Sequence, residues 1–184
     1  MRDSGYDRAT DDYYVEPRWA IDALLDVERF FGWSWDPSCG GGNIPTAMHA
    51  RDMQCYASDI ADRGYGATGS FFDMPPWEVQ NIVTNPPYGI IEPYIEHALS
   101  IASHKVAILA RLALLEGQKR QQMFKTTPLA RVWISSRRMS MPPGGTDIPA
   151  KNGTVAYAWF IWEHGYVGRP EIDWLPTDPG ARSA

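Results

Sequence analysis

The sequence predicts a single α/β domain on an open, mostly parallel sheet of seven strands. Three observations predict it: short apolar runs of strand length recur along the chain, helical patterns separate them, and the first two runs flank a glycine-rich turn. A chain of 184 residues with a 44% apolar fraction suffices for one full core, so residues 1–184 are read as one domain.

Residues 1–12 are polar and acidic and read as a flexible arm. Glu16 and Pro17 then open RWAIDALLDVERFF, where Ala20, Ile21, Leu24, Leu25, Val27 and Phe31 recur at helical spacing. Proline sits near its favoured first-turn place, and Gly32 is the expected stop. A strand over 33–36, a glycine-rich turn, a helix over 44–51 and a strand over 54–58 make a β-loop-α-β unit. Further strands are expected over 68–72, 82–84, 106–109, 132–134 and 155–162, with helices over 93–102 and 112–124. Between Ser135 and Thr154 runs a basic loop rich in proline and glycine, long enough to be functional or mobile. From Gly168 to residue 184 the tail reads as an extended surface strap anchored by Trp174.

No stretch approaches the ~18 apolar residues of a membrane span, and the N-terminus lacks the basic-then-apolar pattern of a secretory signal. The reading is a cytoplasmic protein with no membrane partner. Cys39 and Cys55 are too few for a disulfide framework and have no zinc-ligand spacing, so both are read as reduced, with no metal site. Net charge is −5, which taken alone argues against a nucleic-acid partner, but its distribution argues otherwise. Residues 1–110 carry 7 basic and 16 acidic side chains, residues 111–151 carry 8 and 2, and residues 152–184 carry 2 and 4.

The turn DPSCGGGNIP follows the first strand. Its glycines permit positive φ and close backbone approach, and a helix begins at once, which suits a nucleotide-like ligand. A dinucleotide loop is disfavoured because no third glycine follows at G-x-G-x-x-G spacing, and a phosphate loop because no G-K-[ST] closes it. Asp36 at the end of the first strand suits a cationic ligand. Asp59, ending the second strand, stands where an acid reaches ribose hydroxyls. Asp73 is expected to end the third strand, with Phe72 beside it to cover an adenine face.

The most specific motif is Asn85-Pro86-Pro87-Tyr88, directly after the fourth strand. Consecutive prolines fix φ and remove backbone donors, so the Asn85 amide oxygen and the Pro86 carbonyl are held as two acceptors. Two acceptors match the two protons of an NH₂ group, and the Tyr88 ring offers a stacking surface for a planar base.

In this order DPSCGGGNIP, ASDI, FFDMP and NPPYG resemble the class I S-adenosylmethionine (SAM)-dependent amino-methyltransferases, specifically bacterial and phage DNA adenine-N6 methyltransferases, over roughly residues 13–162. The resemblance implies a Rossmann-like fold with an antiparallel last strand, SAM as cofactor and S-adenosyl-L-homocysteine as product. It implies a cofactor set of Tyr14, Asp36, Pro37, Ser38, Gly40, Gly42, Asn43, Asp59, Ile60, Phe72, Asp73 and Asn85, and catalysis by Asn85, Pro86, Pro87 and Tyr88. Tyr14, Val15 and Pro17 match the family's tyrosine-x-threonine-proline element, in which Glu16 replaces the threonine.

The basic segment would then face the substrate, DNA. Arg111, Arg137 and Arg138 follow strands on the same edge as NPPY, and Lys119, Arg120, Lys125 and Lys151 are further candidates for phosphate contact. Met139 and Met141 would help enclose a flipped base; His97, His104 and His164 receive no role. Alternatives are cytosine N4, a ribosomal RNA base or a protein glutamine as acceptor, and a non-catalytic SAM-fold nucleic-acid-binding module. No dedicated DNA-reading insert is evident, so sequence specificity is expected to be low or to come from a separate partner or second subunit.

Overall fold

The computed structural model describes residues 12–74, 78–150 and 153–178. Strands β1 (Ser34–Asp36), β2 (Cys55–Asp59), β3 (Ala67–Thr68), β4 (Val79–Thr84), β5 (Ala102–Arg111), β6 (Leu129–Ile134), β7 (Tyr157–Glu163) and β8 (Glu171–Trp174) form one sheet in the order β3-β2-β1-β4-β5-β7-β6-β8. β7 runs antiparallel to its neighbours β5 and β6, and every other pairing is parallel. The antiparallel seventh strand is as expected; an eighth strand is added, because the tail pairs Arg131–Ile134 of β6 with Glu171–Trp174.

Among the described residues four helices cover the sheet: α1 (Arg18–Val27), α2 (Asn43–His49), α3 (Ile91–Ile101) and α4 (Gln118–Thr126). Strand residues alternate between two cores, as the pleat requires. Ala107, Leu109, Trp159 and Ile161 pack under α1 and α2 with Ile21, Leu24 and Met48. Val106, Ile108, Phe160 and Trp162 face α3 with Tyr94 and Ile95, joined by Met123 and Phe124 of α4. None of the helices is long and apolar enough to cross a membrane among the described residues.

Four expectations need correction. α1 stops at Val27, well before Gly32, because Glu28 turns to extended geometry and its buried carboxylate reaches Lys105 Nζ at 2.8 Å, Trp133 Nε1 at 2.8 Å and Arg131. β3 is only two residues long, so Phe71, Phe72 and Asp73 lie in the turn beyond it, where Asp73 N–H donates to Ser70 O at 3.1 Å. The expected helix over 112–124 is two pieces, a 3-10 turn (Leu112–Leu115) and α4, parted by Gly117 at φ +105°. In the tail, Trp174 is 58% exposed and the buried anchor is Leu175, just beyond β8, whose N–H donates to Ile134 O at 2.9 Å.

Between β1 and β4 the strand order reverses: the chain leaves β1 outward through β2 and β3, then returns to β4 on the other side of β1. The turns after β1 and β4 therefore meet at a switch point on the carboxyl edge, where open α/β sheets form ligand crevices.

Candidate active site

The floor of the crevice is the turn from Asp36 to α2. Gly40 (φ +51°) and Gly42 (φ +85°) occupy left-handed backbone. A Cβ on Gly40 would stand 2.5 Å from the Tyr13 ring, and one on Gly42 2.5 Å from the Tyr65 ring, so glycine is required there by conformation and by space. Asp59 fastens this turn: its Oδ2 accepts from Gly40 N–H at 3.0 Å and its Oδ1 from Ala61 N–H at 3.1 Å, with Arg63 Nε at 3.6 Å. Asp36 lies beneath the turn, 1% exposed, accepting from Ser38 N–H at 3.2 Å. Burial and the neighbouring Glu16 charge push its carboxyl well above the usual range.

The wall is the segment Tyr13–Glu16, which crosses the crevice and pairs with the basic loop. Gly144 N–H donates to Tyr13 O at 3.0 Å and Val15 N–H to Pro142 O at 2.9 Å. The Tyr13 ring lies between Gly40 and Gly144, with the Arg63 guanidinium 4.4 Å from its centroid. Asn43 fixes the same segment from α2, its Nδ2 donating to Glu16 O at 3.0 Å. Tyr13 escaped the sequence reading; the aromatic doublet in DYYVEP was the available signal.

The third part is NPPY. Asn85 follows β4, and its Nδ2 donates to Tyr14 O and to Glu16 Oε2, each at 3.0 Å. Its Oδ1 accepts from Tyr88 Oη at 2.9 Å. Tyr88 opens a 3-10 turn (Tyr88–Ile90) into α3, and its ring stacks on Tyr14 with centroids 6.5 Å apart and the Arg111 guanidinium 5.3 Å away. Burial raises the Tyr88 phenol well above its ordinary pKa, so it stays a neutral donor. Met141 Sδ lies 3.8 Å from Tyr88 Oη, and Met139 and Met141 are both buried in the core under α1 and α2.

Of the sequence-predicted residues, the crevice lining joins Tyr14, Ser38, Gly40, Asn43, Asp59, Ile60, Asn85 and Pro87, and adds Tyr13, Glu16 and Arg63. Asp36, Pro37, Gly42, Phe72 and Asp73 of the expected cofactor set, and Pro86 and Tyr88 of the catalytic motif, are not part of that lining. Around it stand the carboxyls of Glu16, Asp36 and Asp59, a donor set that fits a ligand bearing positive charge, beside a glycine turn open to a close-lying planar or sugar group.

A second groove on the same edge is lined by Arg111, Ser135, Arg137, Arg138 and Tyr157. Arg137 sits over the Trp19 ring at 4.6 Å, and Arg138 donates to Gly153 O at 3.0 Å. Lys119 and Arg120, on α4, do not line it, and Arg120 instead donates to Glu92 of α3 at 2.8 Å. Lys151 falls outside the described residues.

No family model and no curated protein sequence matches the chain. Solved structures do. The M protein of the type I restriction enzyme EcoKI superposes with a TM-score of 0.58 at 13% identity, over 84% of this chain and 44% of that one. A dimethyladenosine transferase from Plasmodium falciparum gives 0.55 at 12%, over 82% and 62%. Magnesium protoporphyrin IX methyltransferase from Synechocystis PCC 6803, solved with bound SAM, gives 0.53 at 13%, over 79% and 78%. With the sheet order and switch point, these likenesses define the class of fold: the Rossmann-like α/β fold of the class I methyltransferases.

Proposed function

We propose that this chain is a SAM-dependent methyltransferase acting on an exocyclic amino nitrogen, with N6 of adenine in DNA as substrate. The observation that carries this reading is Asn85, whose carboxamide is oriented by three hydrogen bonds at the mouth of a glycine-turned, carboxyl-rich crevice. Asp59 and the Gly40 turn would hold the nucleoside part of SAM. Glu16 would favour its cationic amino-acid end by charge, with Tyr14 beside it and Asp36 supporting the turn beneath. When bound, SAM supplies an electrophilic methyl on sulfonium.

The residues of the chain then bind and aim. Asn85 Oδ1 and Pro86 O accept the two amino hydrogens, which turns the nitrogen lone pair toward the methyl carbon. Transfer would form a C–N bond in place of the C–S bond, the electron pair staying with sulfur, and the proton released by the methylated nitrogen would pass to water. An amide takes no proton near neutral pH, so Asn85 acts by orientation and by stabilising the charge that develops on nitrogen. Arg111, Arg137 and Arg138 would hold nucleic-acid phosphates beside it while a nucleotide is turned out, at a cost of a few kcal/mol.

The fold does not choose among DNA, RNA and protein acceptors; the basic groove next to NPPY favours nucleic acid, and the order of motifs favours adenine. Tritiated methyl transfer from SAM onto unmethylated DNA, RNA and a release factor, run in parallel, tests the reading. Label in N6-methyladenine of DNA is expected. Label in RNA or glutamine alone would replace the substrate, and SAM binding without transfer to any acceptor would mark a non-catalytic module.

A further inference from the structure

Glu16 is 7% exposed at the wall of the crevice, and its Oε2 stands 3.0 Å from Asn85 Nδ2. A carboxamide is nearly symmetric in shape, so hydrogen bonding decides which end is oxygen. On one side of Asn85 are the Tyr14 carbonyl and the Glu16 carboxylate, both pure acceptors; on the other is the Tyr88 hydroxyl, which donates or accepts. A flipped amide would set its oxygen against two acceptors and leave only the Tyr88 hydroxyl to receive its hydrogens. We infer that Glu16 is a positioning residue for amino-group methylation: with the Tyr14 carbonyl, it holds the Asn85 oxygen on the side where the incoming amino group is received. This rests on the reading of the reaction given above.

The lock depends on the charge of Glu16. A protonated carboxyl carries an O–H that donates to an amide oxygen, so the flipped form then becomes acceptable. Burial pushes the Glu16 carboxyl up to about 7 against the opposing hydrogen bond from Asn85. The groups that face it are Asp36 at the end of β1, Cys39 of the glycine turn, Tyr13 of its own segment and Tyr88 after β4. Asp59 of β2 shares the crevice lining, and the nearby cations are Arg63, beside Asp59 and Tyr13, and Arg111, over Tyr88. A methyltransferase built this way loses alignment as pH falls through the Glu16 titration.

The test reads the amide directly. In ¹⁵N-labelled protein, the Asn85 side-chain NH₂ pair is identified by its disappearance in Asn85→Asp, then followed from pH 5.5 to 8.5. In wild type the pair should shift with a midpoint near 7. In Glu16→Gln, which keeps the volume, the shift should vanish while the spectrum stays dispersed. At pH 8 and saturating SAM this variant should lose about 10–100-fold in kcat, with KM for the acceptor nearly unchanged, and its kcat should no longer rise between pH 6 and 8. An Asn85 pair indifferent to both pH and Glu16→Gln overturns the proposal, as does a wild-type kcat and pH profile in that variant. The two failures separate, because the spectrum needs no substrate. Loss of the titration in Glu16→Gln with no methyl transfer by wild type would leave the lock standing and the proposed reaction refuted.

Discussion

Asp36 illustrates how a residue can be chosen correctly from sequence for a different reason than its position suggests. Its place at the end of β1 predicted contact with a cationic ligand, yet it lies under the glycine turn, outside the crevice lining, and accepts from Ser38 N–H. Asp36→Ala should therefore weaken SAM binding greatly, by loosening the turn that it holds; calorimetry that finds wild-type affinity would contradict the cofactor site. Asp59, Asn85 and Gly40 were legible because their types allow few alternatives at those places: an acid at a strand end, an amide before two prolines, a glycine in left-handed backbone. Tyr13, Glu16 and Arg63 were not assigned to the crevice, because their roles come from where the N-terminal segment crosses it, which no local pattern encodes.

Elements were legible wherever periodicity is local, and their ends were lost where long-range charge intervenes. The apolar pattern of α1 continues toward Phe31, but Glu28 leaves the helix for Lys105, Arg131 and Trp133, residues far along the chain. Burial alone would raise the Glu28 carboxyl; the hydrogen bonds from Arg131, Lys105 and Trp133 outweigh it and hold the group below its ordinary pKa. A depressed carboxylate contributes stability that is present above its unfolded-state value, near 4.3, and lost as pH falls through the folded one. Glu28→Gln should thus lower the melting temperature at pH 7, since unpairing a buried ion pair costs about 3–5 kcal/mol. The deficit should shrink below about pH 4. Thermal melts across pH check this, and a deficit that does not change with pH would remove the charge from the account.

For the whole molecule, the sheet and its carboxyl-edge crevice followed from the alternation of strands and helices, whereas the eighth strand did not, because it is four residues long and all four are exposed. Net charge is negative, yet Arg111, Arg137 and Arg138 gather on the edge that carries NPPY. DNA affinity should accordingly fall steeply with salt, and replacing Arg137 and Arg138 by alanine should flatten that slope by about two phosphate contacts; an unchanged slope would place the nucleic acid elsewhere. The central claim joins crevice and motif: one part binds SAM, and Asn85 aims the acceptor. Asn85→Ala separates them, through calorimetry with SAM and single-turnover methyl transfer on the same preparation. SAM affinity should stay near wild type while the transfer rate falls on the order of 100–1,000-fold, with Asn85→Asp retaining more activity than alanine. A transfer rate near wild type in Asn85→Ala, on every amino-bearing acceptor tried, would contradict the mechanism whatever the calorimetry gave.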